Sequence, residues 1–264
     1  PDFPGEFYEM LDVADWASAT EQIEADSLVS GGRFGYSVSI SGTTAVVGTP
    51  WIWQNTGAAY IFEHNGSNWT FVQRIAGTGI SDQDQFGYSV AISGNTIIAG
   101  TQRGRAYIYE RDGSGNWGTA VVNQSYRTET LHFWGSNGGI GYFGWSVAID
   151  GTTAIVGANY EDTGAPNNSG AAYIFEKNGS AWTEVKKIKS SNPQSNEHFG
   201  ESVAIIGTTV IVGAPQDSNV GYGSAYIFER NGDGSWNATE TQKIQASDKD
   251  DDDRFGWSVA SSGT

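Results

Sequence analysis

The chain repeats itself. Five Phe-Gly pairs, Phe34-Gly35, Phe86-Gly87, Phe143-Gly144, Phe199-Gly200 and Phe255-Gly256, stand 52, 57, 56 and 56 residues apart. Each opens the same phrase: FGYSVSISGTTAVVGTP, FGYSVAISGNTIIAGTQ, FGWSVAIDGTTAIVGAN and FGESVAIIGTTVIVGAP, then a shorter FGWSVASSGT. A fixed period of this size means one supersecondary unit copied along the chain, each copy burying its apolar face against the next. Repetition also sorts residues. Those present in every copy build the scaffold, and those that break the pattern are where to look for function.

Within a unit the pattern spells four strands. Ser37, Val38, Ser39 and Ile40 alternate with period two, as a half-buried strand does. Ala45-Val46-Val47 is a β-branched run suited to burial on both faces. The third strand is near-identical in four copies, GAAYIFE, GRAYIYE, GAAYIFE and GSAYIFE. Turns at Asn65-Gly66, Asp112-Gly113, Asn178-Gly179 and Asn231-Gly232 favour positive φ. A fourth strand begins near Trp69, Trp117, Trp182 and Trp236. Four antiparallel strands per unit predict an all-β chain, a β-propeller of four-stranded antiparallel blades. Parallel solenoids are the alternative, with shorter repeats and fewer hairpins.

The blades are expected at about residues 34–85, 86–142, 143–198 and 199–254. Residues 7–23 resemble the second half of a unit, with Trp16 at the repeated Trp position. Together, 7–33 and 255–264 form a composite blade that closes a five-bladed ring, one domain over 1–264. The alternative is that the chain is part of a longer, seven-bladed propeller.

These motifs resemble the FG-GAP repeats that form the blades of the integrin α-subunit propeller and its relatives. The match is FG-x-S-V-A-I followed by V-G-A-P, complete in FGESVAIIGTTVIVGAP (199–215). The resemblance implies adhesion or lectin roles. It also implies an aspartate-rich calcium loop between the first and second strands, and here the chain departs. That position reads ISGTT, ISGNT, IDGTT and IIGTT, with Asp150 its one carboxylate. Calcium takes about six to eight oxygen ligands, usually several of them carboxylates. No cofactor is expected, and calcium is not supported by the usual loops. Aspartates gather instead before the Phe-Gly pairs, at Asp82 and Asp84 and at Asp248, Asp250, Asp251, Asp252 and Asp253. They are contiguous rather than alternating, as in a solvated acidic turn.

Charge and composition narrow the partners. A net charge of −16 repels nucleic acid and anionic membranes. No apolar run approaches the roughly 18 residues of a membrane-spanning helix, so no membrane insertion is expected. With no cysteine, thiol catalysis and thiolate metal sites are excluded. The three histidines, His64, His132 and His198, form no pair in a repeat-based map, and no nucleophile elbow or phosphate loop is present. The chain is therefore expected not to be an enzyme; a polysaccharide-active enzyme is the lesser alternative.

Subtracting the repeat leaves Trp51 and Trp53 in TPWIWQNTG, and His132 and Trp134 in the insertion NQSYRTETLHFWGSNGGIGY. Tyr160 and Tyr222 occupy the corresponding loops of later copies. Because successive strands reverse direction, loops between strands two and three and between four and one emerge on one face. These residues are the expected ligand-binding set, since exposed Trp and Tyr carry much of the energy of binding surfaces. Alternatively, Trp51, Ile52 and Trp53 fold over their own blade. Asn65, Asn68, Asn123, Asn167, Asn178 and Asn237 each begin a glycosylation sequon. Four of them, Asn65, Asn68, Asn178 and Asn237, lie at or beside the opposite turns. The expectation is an extracellular or cell-surface module that binds a carbohydrate or protein. The second possibility is a structural repeat subunit that self-assembles or belongs to a larger parent chain.

Overall fold

The computed structural model describes residues 31–118, 122–125 (backbone only), 141–162, 167–217 and 221–262. Among them are sixteen strands and no helix. The first sheet holds β1 (Ser37–Ser41), β2 (Thr44–Thr49), β3 (Ala58–His64) and β4 (Trp69–Ile75). The second holds β5 (Ser89–Ser93), β6 (Thr96–Gly100), β7 (Arg105–Glu110) and β8 (Val122–Ser125). The third holds β9 (Ser146–Asp150), β10 (Thr153–Ala158), β11 (Ala171–Asn178) and β12 (Ala181–Ile188). The fourth holds β13 (Ser202–Ile206), β14 (Thr209–Ala214), β15 (Ser224–Glu229) and β16 (Gln242–Ile244). In every sheet the strands pair antiparallel in chain order, as the repeat predicts. The first strands are neighbours across sheets: β1 packs beside β5, β5 beside β9, and β9 beside β13.

The core lies between blades. Val46 and Ile61 of the first sheet meet Phe86, Ile97 and Trp117 of the second. Ile155 and Ile174 of the third meet Phe199, Val203, Phe228 and Trp236 of the fourth. The second strand is buried on both sides: in β2, buried along its whole length, Val46 packs against the second sheet and Val47 lies with Ile52, Tyr60 and Phe62. The Phe of each repeat is a wedge: Phe86, Phe143 and Phe199 are fully or nearly fully buried, set edge-on or tilted against the aromatics of the third strand.

Backbone contacts explain the two glycines of the motif. Ser37 Oγ donates to Gly87 O at 2.8 Å, Ser89 to Gly144 O at 2.8 Å, Ser146 to Gly200 O at 2.7 Å and Ser202 to Gly256 O at 2.8 Å. Each bond runs from one blade to the first turn of the next. A methyl on Gly48, Gly100, Gly157 or Gly213 would lie 2.1, 2.0, 2.2 or 1.9 Å from that same carbonyl oxygen. The Phe-Gly glycine is itself at positive φ, +80° to +94° at Gly87, Gly144, Gly200 and Gly256. A methyl there would strike a carbonyl of the preceding blade. Only glycine on both sides permits the approach.

Two further ties repeat. On the outer rim, Glu63 pairs with Arg111 at 2.6 Å, Glu110 with Lys177 at 2.7 Å and Glu176 with Arg230 at 3.0 Å. Trp182 and Trp236 donate to Glu110 and Glu176 at 3.0 and 2.8 Å. At the far ends of the first strands, Ser41 accepts from Gly94 N, Ser93 from Gly151 N, and Asp150 from Gly207 N at 2.7 Å. The one carboxylate at the expected calcium position therefore serves as a joint between blades.

On blade one the first strand is open while its cross-strand partners on the same face, Ala45, Val47, Tyr60 and Phe62, are buried. Val38 and Ile40 are 67% and 62% exposed, whereas their counterparts Val90, Ile92, Val203 and Ile205 are 6–8% exposed. No described atom lies within 4 Å of where a Gly35 side chain would start.

Three local expectations are corrected. In blades two and four the left-handed glycine of the third turn is Gly115 or Gly234, not Gly113 or Gly232. These loops are longer, closed by Asp112 N to Asn116 O and Asn231 N to Ser235 O, which moves the φ-positive position two residues on. In the same blades the fourth strand starts well after Trp117 and Trp236, which belong to the turn instead. Asp84 is not solvated: it is buried, accepts from Ser81 N at 2.7 Å and faces Arg105 at 3.5 Å. Asp248 and Asp250 to Asp253 are exposed, as expected. The composite blade from 7–33 and 255–264 depends on residues outside those described.

Candidate functional site

The residue before each Phe-Gly pair is Arg33, Gln85, Tyr142, His198 or Arg254, and all five lie at φ +52° to +58°. A left-handed backbone at a non-glycine residue is uncommon and costs free energy. Here a turn holds it: the nitrogen three residues on donates back to its carbonyl, as Trp145 N does to Tyr142 O at 2.9 Å. The turn brings the residue before the pair close to the residue after it. Tyr142 meets Trp145 at 5.6 Å, and Arg254 lies 5.7 Å from the ring of Trp257, which is 55% exposed.

These turns join the loop aromatics into one row. Trp51 packs edge-on against Tyr36 at 4.7 Å, Tyr36 meets Tyr88 at 5.0 Å, and Tyr88 meets Trp145 at 4.7 Å. Through Tyr142 the row reaches Tyr160 at 5.0 Å, and Tyr160 lies 4.2 Å from the His198 ring. Burial holds the Tyr88 hydroxyl well above the usual phenol range, with Tyr36 hydrogen-bonding beside it. Burial also lowers His198 to about 4, so its imidazole is neutral at pH 7.

One member of the ring that follows the Phe-Gly pairs is not aromatic. Glu201 stands where Tyr36, Tyr88, Trp145 and Trp257 do, and it accepts from Trp145 Nε1 at 3.0 Å and Asn159 Nδ2 at 2.6 Å. Burial raises its carboxyl above the ordinary range, and these two donors pull it partly back.

Behind the row lie buried carboxylates. Glu161 accepts from Tyr173 and Lys187, while Asp217 accepts from Tyr226 at 2.8 Å and pairs with Lys243 at 2.5 Å. Glu197 is fully buried and takes Ser190, Gln194 N and Tyr226. Its carboxyl is raised chiefly by burial. Blade one has Ile52 at the equivalent place, buried among Val47, Ala58, Tyr60 and Phe62. Among the described residues no group of three His, Asp or Glu side chains is arranged to hold a metal.

Of the expected contact residues, the structure joins Trp51 and Tyr160 through the row. Trp53 is 40% exposed with the Arg74 guanidinium 4.3 Å over its ring, so it lies on its own blade. Tyr222 lies at the fourth blade, its carbonyl accepting from Phe255 N at 3.0 Å. His132 and Trp134 lie outside the described residues. Asn65, Asn68, Asn167 and Asn178 are exposed and Asn237 is half-buried. Asn167 sits on the loop face, where its carbonyl accepts from Asn196 N at 2.8 Å. Asn123 pairs in β8, opposite Tyr107. The turn residues Tyr142 and His198 were missed as site residues. The signal was a fixed offset from the Phe-Gly pair carrying five side chains of four types.

Four-stranded antiparallel blades, joined in sequence through their first strands, define a β-propeller. The FG-GAP repeat model matches residues 18–62, 69–121, 139–175, 182–228 and 238–264, and the chain belongs to the FG-GAP repeat family. Such repeats are found in adhesion and binding proteins, usually extracellular, and their propellers generally mediate protein interactions and are typically non-enzymatic. Among solved structures, the computationally designed Ika4 protein is similar at 11% identity and a TM-score of 0.48, over 80% of this chain and 99% of that one. Saccharomyces cerevisiae Sqt1 is similar at 9% identity and a TM-score of 0.48, over 81% of this chain and 48% of that one. No curated protein matches the chain. Among the described residues no helix is long and apolar enough to cross a membrane.

Proposed function

We propose that the chain is an extracellular binding or adhesion module that presents its second-to-third and fourth-to-first loops to a carbohydrate or protein ligand. The observation that carries this is the row from Trp51 to His198. It links the loops of blades one to three, and two of its members, Trp51 and the 36%-exposed Tyr160, lie outside the repeated phrase. Rigid aromatic side chains offer large contact area at low entropic cost, which suits a binding face. On this reading Trp51, Trp53, Tyr160 and Tyr222 are contact residues, joined by His132 and Trp134. Glycans at Asn65, Asn68 and Asn178 would leave that face free.

The absence of cysteine supplies a clean test. Trp53→Cys places one thiol on the loop face, and Ser67→Cys places one on an exposed turn between the third and fourth strands. Each is labelled with a maleimide polymer, and retention on glycan and extracellular-matrix protein arrays is measured. Polymer at 53 should abolish retention and polymer at 67 should spare it. Equal effects, the reverse order, or no retention of the unlabelled chain on any surface would refute the proposal.

The exposed Val38 and Ile40 of β1 favour a second reading, a structural subunit that pairs with other chains. An apolar strand open on one side is a template for association. Sedimentation velocity decides: a monomer at all concentrations up to the highest attainable sinks this reading.

A further inference from the structure

The geometry points to a saccharide site. A cleft of about 220 Å3 between the first three blades binds one neutral pyranose ring, in an inference that rests on the loop-face proposal and names its ligand class. Its walls are Asn55, Gln83, Gln85, Gln102, Arg103 and Tyr142. Four of the six are carboxamides, and each amide both donates and accepts, as every sugar hydroxyl does. The cationic member is engaged already: Arg103 Nη2 donates to Gln83 Oε1 at 2.6 Å. Tyr142, a member of the aromatic row, supplies an apolar wall of the kind a pyranose C–H face packs against. The volume falls below the roughly 300–1,000 Å3 of drug-sized sites, which suits a single ring or the terminal unit of a glycan.

The walls are set in advance. Asn55, Gln83, Gln85 and Tyr142 all have φ between +53° and +69°. Backbone bonds fasten the loops together: Gln83 N to Gln54 O at 3.1 Å, Gln85 N to Asn55 O at 2.8 Å and Gln102 N to Asp84 O at 3.1 Å. The same three bonds recur between blades three and four, from Asn196, His198 and Gln216 to Asn167, Asn168 and Glu197. There the side chains satisfy one another. Asn168 donates to Asn196 at 2.9 Å, and Tyr160 covers His198. At the first junction the carboxamides of Asn55, Gln83, Gln85 and Gln102 line the cleft instead.

The test is an array of glycans ending in glucose, galactose or mannose, with uronic-acid-terminated and sialylated glycans as charged arms. It is followed by titration of the best methyl hexoside. Gln85→Asn withdraws the amide while keeping a residue that tolerates positive φ, and Gln102→Ala removes a second amide. Ser67→Ala on the far face is the control, and melting temperatures verify folding. Neutral glycans should bind, and each cleft variant should weaken the hexoside at least tenfold with the control unchanged. A blank array, binding confined to the charged arms, or neutral binding indifferent to both cleft variants overturns the inference. If neutral binding survives the cleft variants but falls with Tyr160→Ala, the loop-face proposal stands and the cleft does not.

Discussion

Gly157→Ala tests the joint between blades through the sign of its effect. Gly157 lies in β10 at an ordinary φ, so the backbone accepts alanine there. In isolation the change would stabilise by about 0.4–1 kcal/mol, because the unfolded chain loses freedom. The joint predicts the opposite. The added methyl would sit 2.2 Å from Gly200 O and 2.2 Å from Ser146 Oγ. Ordinary carbon–oxygen contacts are about 3.3 Å, so the blades must part by about 1 Å or the serine must rotate. Rotation gives up the 2.7 Å bond from Ser146 to Gly200 O, worth about 1 kcal/mol. Overpacking adds about 1–3 kcal/mol. Less the stabilisation from the unfolded chain, the net cost is about 1–3.5 kcal/mol, or a fall of roughly 2–14 °C in melting temperature. Urea unfolding followed by tryptophan fluorescence measures it, with Gly207→Ala as comparison. That glycine has φ +54° and no neighbour within 4 Å, so it should cost only the left-handed penalty, about 1–2 kcal/mol. A neutral or stabilising Gly157→Ala would refute the joint.

The neutral, buried His198 should make stability depend on acid. Its folded value of about 4 lies below the ordinary 6.5, so its contribution is present above pH 6.5 and lost as pH falls through 4. The full loss is about 3 kcal/mol, read as the difference in unfolding free energy between the wild type and His198→Asn; parallel curves from pH 7 to 4 would refute it. Gly35→Ala tests whether a further blade covers blade one: a cost near the left-handed penalty means an open side, whereas a cost matching Gly200→Ala means that a preceding blade fills it.

The parts of the fold legible in the sequence are those in which identity repeats with position. The alternation of Ser37 to Ile40, the AYIFE strand and the Phe-Gly pair each perform one task in every copy, so their period announced four-stranded blades. The joints were less legible because they connect residues about 55 apart, and no local pattern shows that Ser146 serves Gly200. Asp150 shows the same limit: it looked like the remnant of a calcium loop, yet it caps a turn on the next blade. The site was hidden for a different reason. At the position before Phe-Gly, backbone conformation repeats while the side chain does not, so Gln85, Tyr142 and His198 fell on neither side of a division between scaffold and exception. Tyr36, Tyr88 and Trp145 are the reverse: they lie inside the repeated phrase, yet they link Trp51 to Tyr160.

The serine–glycine joint has a consequence for how such a chain can change length. Its donor, acceptor and two bare α-carbons are the same at each described junction, so no blade carries an address that fixes its place in the series. Copying or deleting one unit would leave every surviving junction chemically intact. Only the angle between neighbours would have to adjust. Unit number in this architecture is thus constrained by curvature rather than by recognition, and individuality is confined to the loops, where each copy can drift without loosening the joints.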